Sequence, residues 1–167
     1  MKAHTLSVLV MNRPGVLSRV SGLFTRRGFN IESLAVGTCE EPDLSRMTLV
    51  VFGDDRQVEQ VIKQLNKLID VVKVSDITEN ETVDRELALI KVTADAGSSR
   101  AEVMQIAGIF RAQIIDVAAK TVILQVVGNT EKIDALEKLL RQYGVKELVR
   151  TGKIALLRGS KTVRSQK

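Results

Sequence analysis

Apolar and polar positions follow two periods along the first half of the chain, and these periods predict its elements. Leu6, Val8 and Val10 alternate with their neighbours, as residues of a strand do. Val16, Val20 and later apolar residues recur every three or four positions, as on one face of a helix. The same pattern gives the order β-α-β-β-α-β over the first half, with strands at 5–10, 31–38, 45–52 and 71–77 and helices at 16–27 and 54–69.

The order of elements repeats in the second half, although the residues themselves do not. The pattern there predicts strands at 87–93, 113–117, 121–127 and 145–149, helices at 99–110 and 130–142, and a candidate extra strand at 154–157. A β-α-β-β-α-β chain with right-handed crossovers folds as a ferredoxin-like plait, in which both helices lie on one face of a four-stranded antiparallel sheet. The sequence therefore predicts an α+β protein of two tandem ferredoxin-like domains.

A change in composition marks the predicted domain boundary. Residues 78–84 are polar and acidic and lack periodicity, so a linker is expected there. The first domain then covers 1–77 and the second 85–158, and residues 159–167 are expected to form a basic, flexible tail. One face of each sheet carries no helix, and in the first domain we expect that face to be apolar and to need a partner. Dimerisation through sheet faces or edges follows.

Residue types that favour helix ends mark the predicted helix boundaries. Asn12 suits the N-cap of the first helix, and Gly28 suits the position just after its end. Asp54 suits the N-cap of the second helix. Ser99 and Glu102 have the spacing of a capping box at the third helix.

The composition narrows the class of protein. Aromatic residues are 3% of the chain and hydrophobic residues 44%, so the cores must be built from Val, Ile and Leu. The single cysteine, Cys39, excludes an internal disulfide and fits a reducing compartment. The first residues have no apolar signal core, and the apolar runs are too short to span a bilayer. We expect a soluble, cytoplasmic protein without membrane contact.

The net charge of +5 is unevenly distributed. Residues 1–80 carry ten basic and ten acidic side chains, so the excess lies in residues 81–167. A basic C-terminus can bind nucleic acid, but the basic residues there lack neighbouring aromatic side chains for stacking, and a solvated terminus is the preferred interpretation. The basic residues near the end are Arg150, Lys153, Arg158, Lys161, Arg164 and Lys167.

Residue types that carry out catalysis are scarce. His4 is the only histidine, so one chain has no histidine-based triad and no multi-histidine metal site. Because His4 lies near the N-terminus, we expect it to be inert at a flexible end. Cys39 has no second cysteine near it and is expected to be a structural thiol. The sequence predicts no catalytic residue, no metal ligand set and no cofactor bound by this chain.

The turn Asn12-Arg13-Pro14-Gly15, between the first strand and the first helix, is the best candidate for a binding site. Free backbone N–H groups and the positive end of the helix dipole attract an anion such as a carboxylate. By itself the turn is explained more simply as a helix start. An acylphosphatase-like enzyme that uses Arg13 and Asn12 on an anion loop is a weaker alternative.

Two further observations favour a ligand at this turn. Asn30 precedes the second strand and can reach the turn of a neighbouring copy when two sheets pair by their edges. Val16, Leu17 and Ile31 are aliphatic and suit a small branched side chain, whose burial stabilises by about 1.5–3 kcal/mol. A carboxylate at the helix start adds roughly 0.3–2 kcal/mol. The free-energy cost of ordering the ligand and the site offsets most of this stabilisation, so an affinity in the range of metabolite concentrations is expected. Such an affinity suits a sensor.

Several runs of residues together form a more specific pattern. They are 12–20 (NRPGVLSRV), 22–24 (GLF), 27–34 (RGFNIESL), 45–48 (SRMT), 63–68 (KQLNKL), 110–117 (FRAQIIDV) and 150–152 (RTG). These runs resemble the small, regulatory subunit of acetolactate synthase (acetohydroxyacid synthase), and the resemblance covers nearly the whole chain. It implies that the first domain is an ACT domain.

The resemblance also implies a ligand and its site. It implies a homodimer through the ACT domains, with valine, and sometimes leucine or isoleucine, bound between them. On that pattern Asn12, Gly15, Val16 and Leu17 come from one chain, and Asn30 with Ile31 from its partner. In the second half Asp95-Ala96-Gly97 replaces the Asn-x-x-Gly turn, so a second site of this type is not expected.

A third implication concerns the enzyme. The family pattern is a non-catalytic subunit that binds and activates a catalytic large subunit carrying thiamine diphosphate, Mg²⁺ and FAD. The small subunit confers feedback inhibition by valine in branched-chain amino acid biosynthesis, and its second domain is linked to dimerisation and large-subunit contact. The alternatives left open are an amino-acid-responsive nucleic-acid-binding regulator and the acylphosphatase-like enzyme.

Overall fold

The computed structural model describes residues 2–164 of the chain. These residues divide into two compact units. The first unit contains residues 2–83 together with residues 153–164, and the second contains Asp84–Gly152. The first unit is therefore built from two separate stretches of chain.

The first unit has the β-α-β-β-α-β order that the hydrophobic periodicity predicts. Its elements are β1 (Lys2–Met11), α1 (Val16–Arg26), β2 (Ile31–Thr38), β3 (Leu44–Gly53), α2 (Asp55–Leu65) and β4 (Val71–Asp76). The strands form an antiparallel sheet in the order β2-β3-β1-β4, so β2 and β4 are its edge strands. This confirms the predicted ferredoxin-like fold of the first half.

The core of the first unit is filled by side chains that share one face of each element. Leu6, Val8 and Val10 of β1 are buried in one apolar cluster with Val20 and Phe24 of α1. Alternation along a strand directs every second side chain to the same face, and helical spacing places the α1 residues on one stripe. The two periods in the sequence therefore determine which side chains form this core.

The second unit repeats this architecture. Its elements are β5 (Thr82–Thr93), α3 (Ser98–Ile109), β6 (Gln113–Val117), β7 (Thr121–Gly128), α4 (Thr130–Leu140) and β8 (Val145–Arg150). The sheet runs in the order β6-β7-β5-β8, which corresponds strand by strand to the order in the first unit. Ile90 and Val92 of β5 pack with Val103 of α3 and Leu136 of α4 in its core. The predicted second ferredoxin-like fold is confirmed.

Two predicted helix ends are confirmed. The Asp54 side chain caps α2 by accepting a hydrogen bond from the Gln57 N–H at 2.8 Å, and the Gln57 side chain accepts one from the Asp54 N–H at 3.1 Å. Gly28 follows the end of α1 with φ of 69°, a left-handed conformation that glycine adopts without steric cost.

Two other predicted helix ends are wrong. Helix α1 has Gly15 rather than Asn12 at its N-cap, because the turn occupies the residues between β1 and Val16. Helix α3 has Gly97 at its N-cap, and glycine has no side chain with which to form a capping box. Ser99 lies inside α3, where its hydroxyl donates to the Asp95 carbonyl at 3.3 Å.

Two element boundaries also differ from the expectation. Helix α2 ends at Leu65, and Ile69, which was expected on its apolar stripe, is 96% exposed. The reason is that the chain turns after Leu65, where the Leu68 N–H donates to the Leu65 carbonyl and leads the chain toward β4. Strand β5 begins at Thr82, so it takes up part of the expected linker 78–84.

The C-terminal segment, which we define as residues 153–164, lies in the first unit. It contains a short strand, β9 (Ile154–Leu157), at the position of the candidate extra strand. The expected second domain of 85–158 therefore differs from the second unit, which ends at Gly152.

The expected flexible tail of 159–167 also differs from the structure over residues 159–164. Val163 is only 6% exposed and packs with Ile77, Ala155 and Leu157 in a small apolar cluster. The cause is a single apolar residue in an otherwise polar stretch, which is enough to dock the segment. Residues 165–167 of the expected tail lie outside the described residues.

The helix-free face of the first sheet carries both apolar and polar side chains, with Leu9 of β1 and Phe52 of β3 among the apolar ones. Ser7, Thr48 and Ser75 form one row across β1, β3 and β4 on that face, and all three are buried. The Ser75 hydroxyl donates to the Val163 carbonyl at 3.2 Å. The expected apolar side chains are therefore present on this face, but a polar row lies among them and the C-terminal segment reaches that row.

Candidate functional site

The turn Asn12-Arg13-Pro14-Gly15, hereafter the 12–15 turn, is held in place by two backbone hydrogen bonds. The Met11 N–H donates to the Asp70 carbonyl at 2.8 Å, and the Asn12 N–H donates to the Asp43 carbonyl at 2.7 Å. The second bond engages the backbone N–H of Asn12, and the Asn12 residue is exposed on the turn. The turn is thus fixed by chain segments that lie far from it in the sequence.

Gly15 has a conformation that only glycine adopts easily. Its φ is 82°, and a Cβ atom placed on it would lie 3.1 Å from Nη1 of Arg19. The Arg19 Nη2 atom donates to Oδ2 of Asp70 at 2.5 Å. A guanidinium group therefore lies beside the turn and is oriented by a nearly buried carboxylate.

The start of α1 differs from the starts of α2 and α4 in what caps it. The side chains of Asp54 and Asn129 accept hydrogen bonds from the first turns of α2 and α4. Helix α1 begins after Gly15, and no described side chain caps it or adds an acidic group to its first turn. Its N–H groups and positive dipole end can therefore interact with an external anion.

The aliphatic residues expected around the turn occupy different environments. Val16 is 3% exposed and belongs to the core of the first unit, and its backbone N–H donates to the Arg13 carbonyl at 3.4 Å, so Val16 presents no group to a ligand. Leu17 is 42% exposed beside the turn. Ile31 is partly buried and packs against the same core cluster. Leu17 is thus the aliphatic side chain that this turn presents.

The second group of expected site residues lies at the other end of the sheet. Ile31 pairs with Val51, which pairs with His4 near the start of β1, whereas Met11 before the turn pairs with Leu44. The distance from His4 to Met11 along β1 is about 24 Å at roughly 3.4 Å per residue. Asn30 and Ile31 are therefore not brought to the 12–15 turn of their own chain.

The second unit contains an equivalent turn, Ala94-Asp95-Ala96-Gly97, hereafter the 94–97 turn. The Thr93 N–H donates to the Gly144 carbonyl at 2.9 Å and the Ala94 N–H to the Lys120 carbonyl at 2.8 Å, which repeats the two bonds that hold the 12–15 turn. Ala94 thus corresponds to Asn12, and Gly144 to Asp70. Alanine and glycine thus stand where the first unit has the Asn12 amide and the Asp70 carboxylate.

Arg100 donates hydrogen bonds to carbonyl groups around the 94–97 turn. Its Nη2 atom donates to the carbonyls of Ala94, Ala118 and Ala119 at 2.9, 2.7 and 2.7 Å. The guanidinium therefore holds together two loops of the second unit. The two turns therefore differ in their side chains, although α3, like α1, begins after a glycine and has no side-chain cap.

Sequence reasoning did not find Arg19 and Asp70 as neighbours of the site. They lie 51 residues apart, and each has an ordinary local context, with Arg19 on a polar helix face and Asp70 after a polar turn. Only the positioning of β4 beside β1 in the sheet brings them together. Gly15 was identified from the sequence because a glycine in this position by itself indicates a turn at a helix start.

His4 was expected to lie at a flexible end of the chain, and this location is wrong. His4 is 3% exposed in β1, and its Nδ1 atom lies 3.0 Å from Oδ2 of Asp76. Burial favours a raised pKa for Asp76, but hydrogen bonds from Thr78 and His4 outweigh it and hold the pKa below its usual value. The ring nitrogen Nε2 lies 3.4 Å from Oδ1 of Asp55. This group stabilises the end of the sheet opposite the 12–15 turn.

Several basic residues near the C-terminus are engaged within their own unit. Arg150 donates to both carboxylate oxygens of Glu86 at 2.9 and 3.0 Å and to Asp134 at 2.6 Å. Arg158 Nε donates to the Thr82 carbonyl, and Arg164 pairs with Glu41. These charges are thus used in internal contacts rather than gathered in one open patch. Within residues 2–164, no helix is long and apolar enough to cross a membrane.

The chain matches two family models that together span most of its length. Residues 6–73 match a model described as an AHAS small subunit-like ACT domain. Residues 85–159 match a model described as the small subunit of acetolactate synthase. Each match coincides with one β-α-β-β-α-β half of the chain.

Individual proteins are similar over nearly the full chain. A probable acetolactate synthase small subunit of Archaeoglobus fulgidus is 60% identical over 158 residues, which are 95% of this chain and 98% of that protein. The acetolactate synthase small subunit of Mycobacterium bovis is 50% identical over 166 residues, with 99% and 98% covered. A crystal structure of the acetolactate synthase small subunit from Thermotoga maritima is 44% identical, has a TM-score of 0.86, and is matched over 96% of this chain and 100% of that one.

Proposed function

We infer that this chain, which belongs to the family of acetolactate synthase small subunits, regulates its enzyme by binding valine at the 12–15 turn. The family is that of the non-catalytic, regulatory subunits of an enzyme in branched-chain amino acid biosynthesis. The observation that carries the ligand proposal is the uncapped start of α1, with Gly15 at its N-cap and Arg19 beside it. In the proposed complex these groups bind the carboxylate of the amino acid.

The site is proposed to be shared by two copies of the chain. Strand β2 is an edge strand, so two β2 strands can pair antiparallel about a two-fold axis. The start of β2 in one copy then lies beside the end of β2 in the other, where Thr38 pairs with Ser45, next to the Leu44–Met11 pair. This arrangement brings Asn30 and Ile31 of a second copy toward the 12–15 turn.

The ligand is proposed to be a small aliphatic amino acid because of the groups on both sides of this junction. Leu17 is exposed beside the turn and Ile31 is partly buried at the start of β2. Burying a branched side chain between them stabilises by about 1.5–3 kcal/mol. The exposed Asn12 and Asn30 side chains supply hydrogen-bonding groups for the ammonium and carboxylate. Valine has the required size and charge.

The chain is proposed to act on a catalytic large subunit in the cytoplasm. That large subunit is expected to carry thiamine diphosphate, Mg²⁺ and FAD, to be activated by this chain, and to become sensitive to valine through it. The relatives' names support a partnership with such a subunit. Co-purification with the large subunit, followed by activity measurements with and without this chain, tests the partnership.

Calorimetric titration of the full chain with valine, leucine, isoleucine and alanine tests the ligand proposal. We expect heat and a thermal shift with valine, and weaker effects with alanine because its side chain buries less apolar surface. The absence of both heat and thermal shift with all three branched-chain amino acids would exclude this ligand class.

A further inference from the structure

The C-terminal segment crosses the first sheet from one edge strand to the other. At its beginning, the Lys153 N–H donates to the Ser33 hydroxyl of β2 at 3.1 Å. At its end, the Ser75 hydroxyl of β4 donates to the Val163 carbonyl at 3.2 Å. The segment thus connects β2 and β4, which are the two outer strands of the order β2-β3-β1-β4.

A second pair of contacts fixes the end of the segment. The Lys73 ammonium of β4 donates to the Arg164 carbonyl at 3.1 Å. The Arg164 guanidinium pairs with the Glu41 carboxylate in the loop between β2 and β3. This loop also contains Asp43, whose carbonyl holds the Asn12 N–H at 2.7 Å. The segment is therefore anchored on the same loop that holds the 12–15 turn.

Each element touched by the segment also carries part of the proposed ligand site. Strand β2 begins at Ile31, two positions before Ser33. Strand β4 begins directly after Asp70, which orients Arg19 and holds the backbone of Met11. A shift of β2, of the β2–β3 loop or of β4 upon ligand binding must therefore alter the contacts of the segment.

The segment makes fewer apolar contacts than the core elements do, although β9 pairs with β5 and the Arg158 N–H donates to the Glu81 carbonyl at 2.9 Å. Its apolar contacts are limited to a cluster of Ala155 and Val163 with Ile77 and Leu157, whereas Ile154 and Leu156 are each 60% exposed. Segments with few buried apolar contacts open at a lower free-energy cost than the core. A ligand with modest differential affinity can therefore shift the equilibrium between attached and detached segment.

We propose that the C-terminal segment is an intramolecular latch that couples valine binding to the regulatory output, with the Ser33–Lys153 hydrogen bond as its contact on β2. The chain leaves the second unit at Gly152, one residue before this contact. The contact of Lys153 with β2 therefore lies where the chain re-enters the first unit. This proposal rests on the proposed function and adds the route by which binding becomes inhibition.

The variant Ser33→Ala tests the latch by separating binding from inhibition. Two quantities are measured, the valine dissociation constant of the full chain by calorimetry and the inhibition constant in the complex with the large subunit. We expect the dissociation constant to stay close to that of the wild type, while the ratio of inhibition to dissociation constant rises by about fivefold or more. Amide exchange of residues 153–163 should slow upon valine addition in the wild type and remain unchanged in Ser33→Ala.

Two variants serve as controls. Ser33→Thr keeps a hydroxyl acceptor and should restore the wild-type ratio. Thr25→Ala removes an exposed hydroxyl from α1, away from the segment and from the 12–15 turn, and should leave the ratio unchanged. An unchanged ratio in Ser33→Ala would overturn the latch. Equal weakening of binding and inhibition would also overturn it, because Ser33 would then act on the site itself. A wild-type chain that binds no branched-chain amino acid would instead overturn the proposed function.

Discussion

Arg19 and Asp70 join the first part of α1 to the residue before β4, with Nη2 and Oδ2 at 2.5 Å. Asp70 is nearly buried and also holds the end of β1 through its carbonyl, whereas the Arg19 side chain is half exposed. The carboxylate thus orients a guanidinium whose other nitrogen, Nη1, lies next to Gly15. This geometry places a positive charge where the ligand carboxylate is proposed to bind.

Arg19→Ala is expected to weaken valine binding by roughly three- to tenfold, because a partly exposed charge contributes about 1 kcal/mol to such an interaction. The fold should be little affected, since the Arg19 side chain is half exposed. Calorimetry on the full chain measures the change. Arg26→Ala removes an exposed arginine from the last turn of the same helix and provides the control. Equal effects of the two substitutions would show that Arg19 acts only through net charge.

Gly15→Asp is expected to abolish valine inhibition of the complex with the large subunit. The new carboxylate repels the ligand carboxylate, and its Cβ meets Arg19 Nη1 at 3.1 Å. Gly28→Asp is the matched control because Gly28 also has a positive φ, of 69°, and a Cβ there would meet no atom within 4 Å. Both substitutions carry a similar backbone cost of about 1–2 kcal/mol. Retained inhibition in Gly15→Asp would exclude the turn as the site.

A mixture of two defective variants is expected to recover part of the valine binding. Gly15→Asp damages the turn and Asn30→Ala damages the start of β2, so a mixed dimer contains one site with both intact halves. Each variant alone should bind no more than weakly, and mixing after dissociation and reassembly should restore about half of the sites in each mixed dimer. Titration before and after mixing measures this. A mixture that stays as inactive as its components would mean that the site is not shared.

Acidification is expected to destabilise the first unit partly through Asp76. Hydrogen bonds from Thr78 and His4 keep the pKa of Asp76 below its usual value despite partial burial. The folded state therefore favours the ionised Asp76 carboxylate. Its contribution to the free energy of unfolding is fully present above the unfolded-state pKa of about 3.9. The contribution is lost as the pH falls through the lower folded-state pKa. Urea unfolding at several pH values should show a shallower acid dependence for Asp76→Asn than for wild type. Glu32→Gln, at an exposed position of β2, should leave it unchanged.

The parts of the fold that depend on local pattern were predictable from the sequence. The alternation of Leu6, Val8 and Val10 and the turn residue Gly15 carry their structural meaning in their own neighbourhood. The exact helix starts were less predictable. Asn12 is a good cap by residue type, but the 12–15 turn places Gly15 directly before Val16. Asp54 was predictable because its partner Gln57 lies three residues away.

Contacts between distant residues were not predictable from periodicity. The Arg19–Asp70 pair and the Arg100 contacts to three carbonyls depend on which strands become neighbours in the sheet. The docking of Val163 depends on one apolar side chain within a basic, polar stretch, which composition alone assigns to a solvated terminus. The burial of His4 likewise follows from the added length of β1, which begins at Lys2.

The return of residues 153–164 to the first unit makes the second unit an insertion within the first rather than an appendage after it. During synthesis, the ACT unit therefore lacks its last packing contacts until the whole of Asp84–Gly152 has been translated. A stop codon placed after Gly152 would leave Asp84–Gly152 intact but would remove Ala155 and Val163 from the first unit, together with β9, the strand that pairs with β5. Such a truncation therefore removes packing contacts of the ACT unit, although the missing residues lie at the opposite end of the chain.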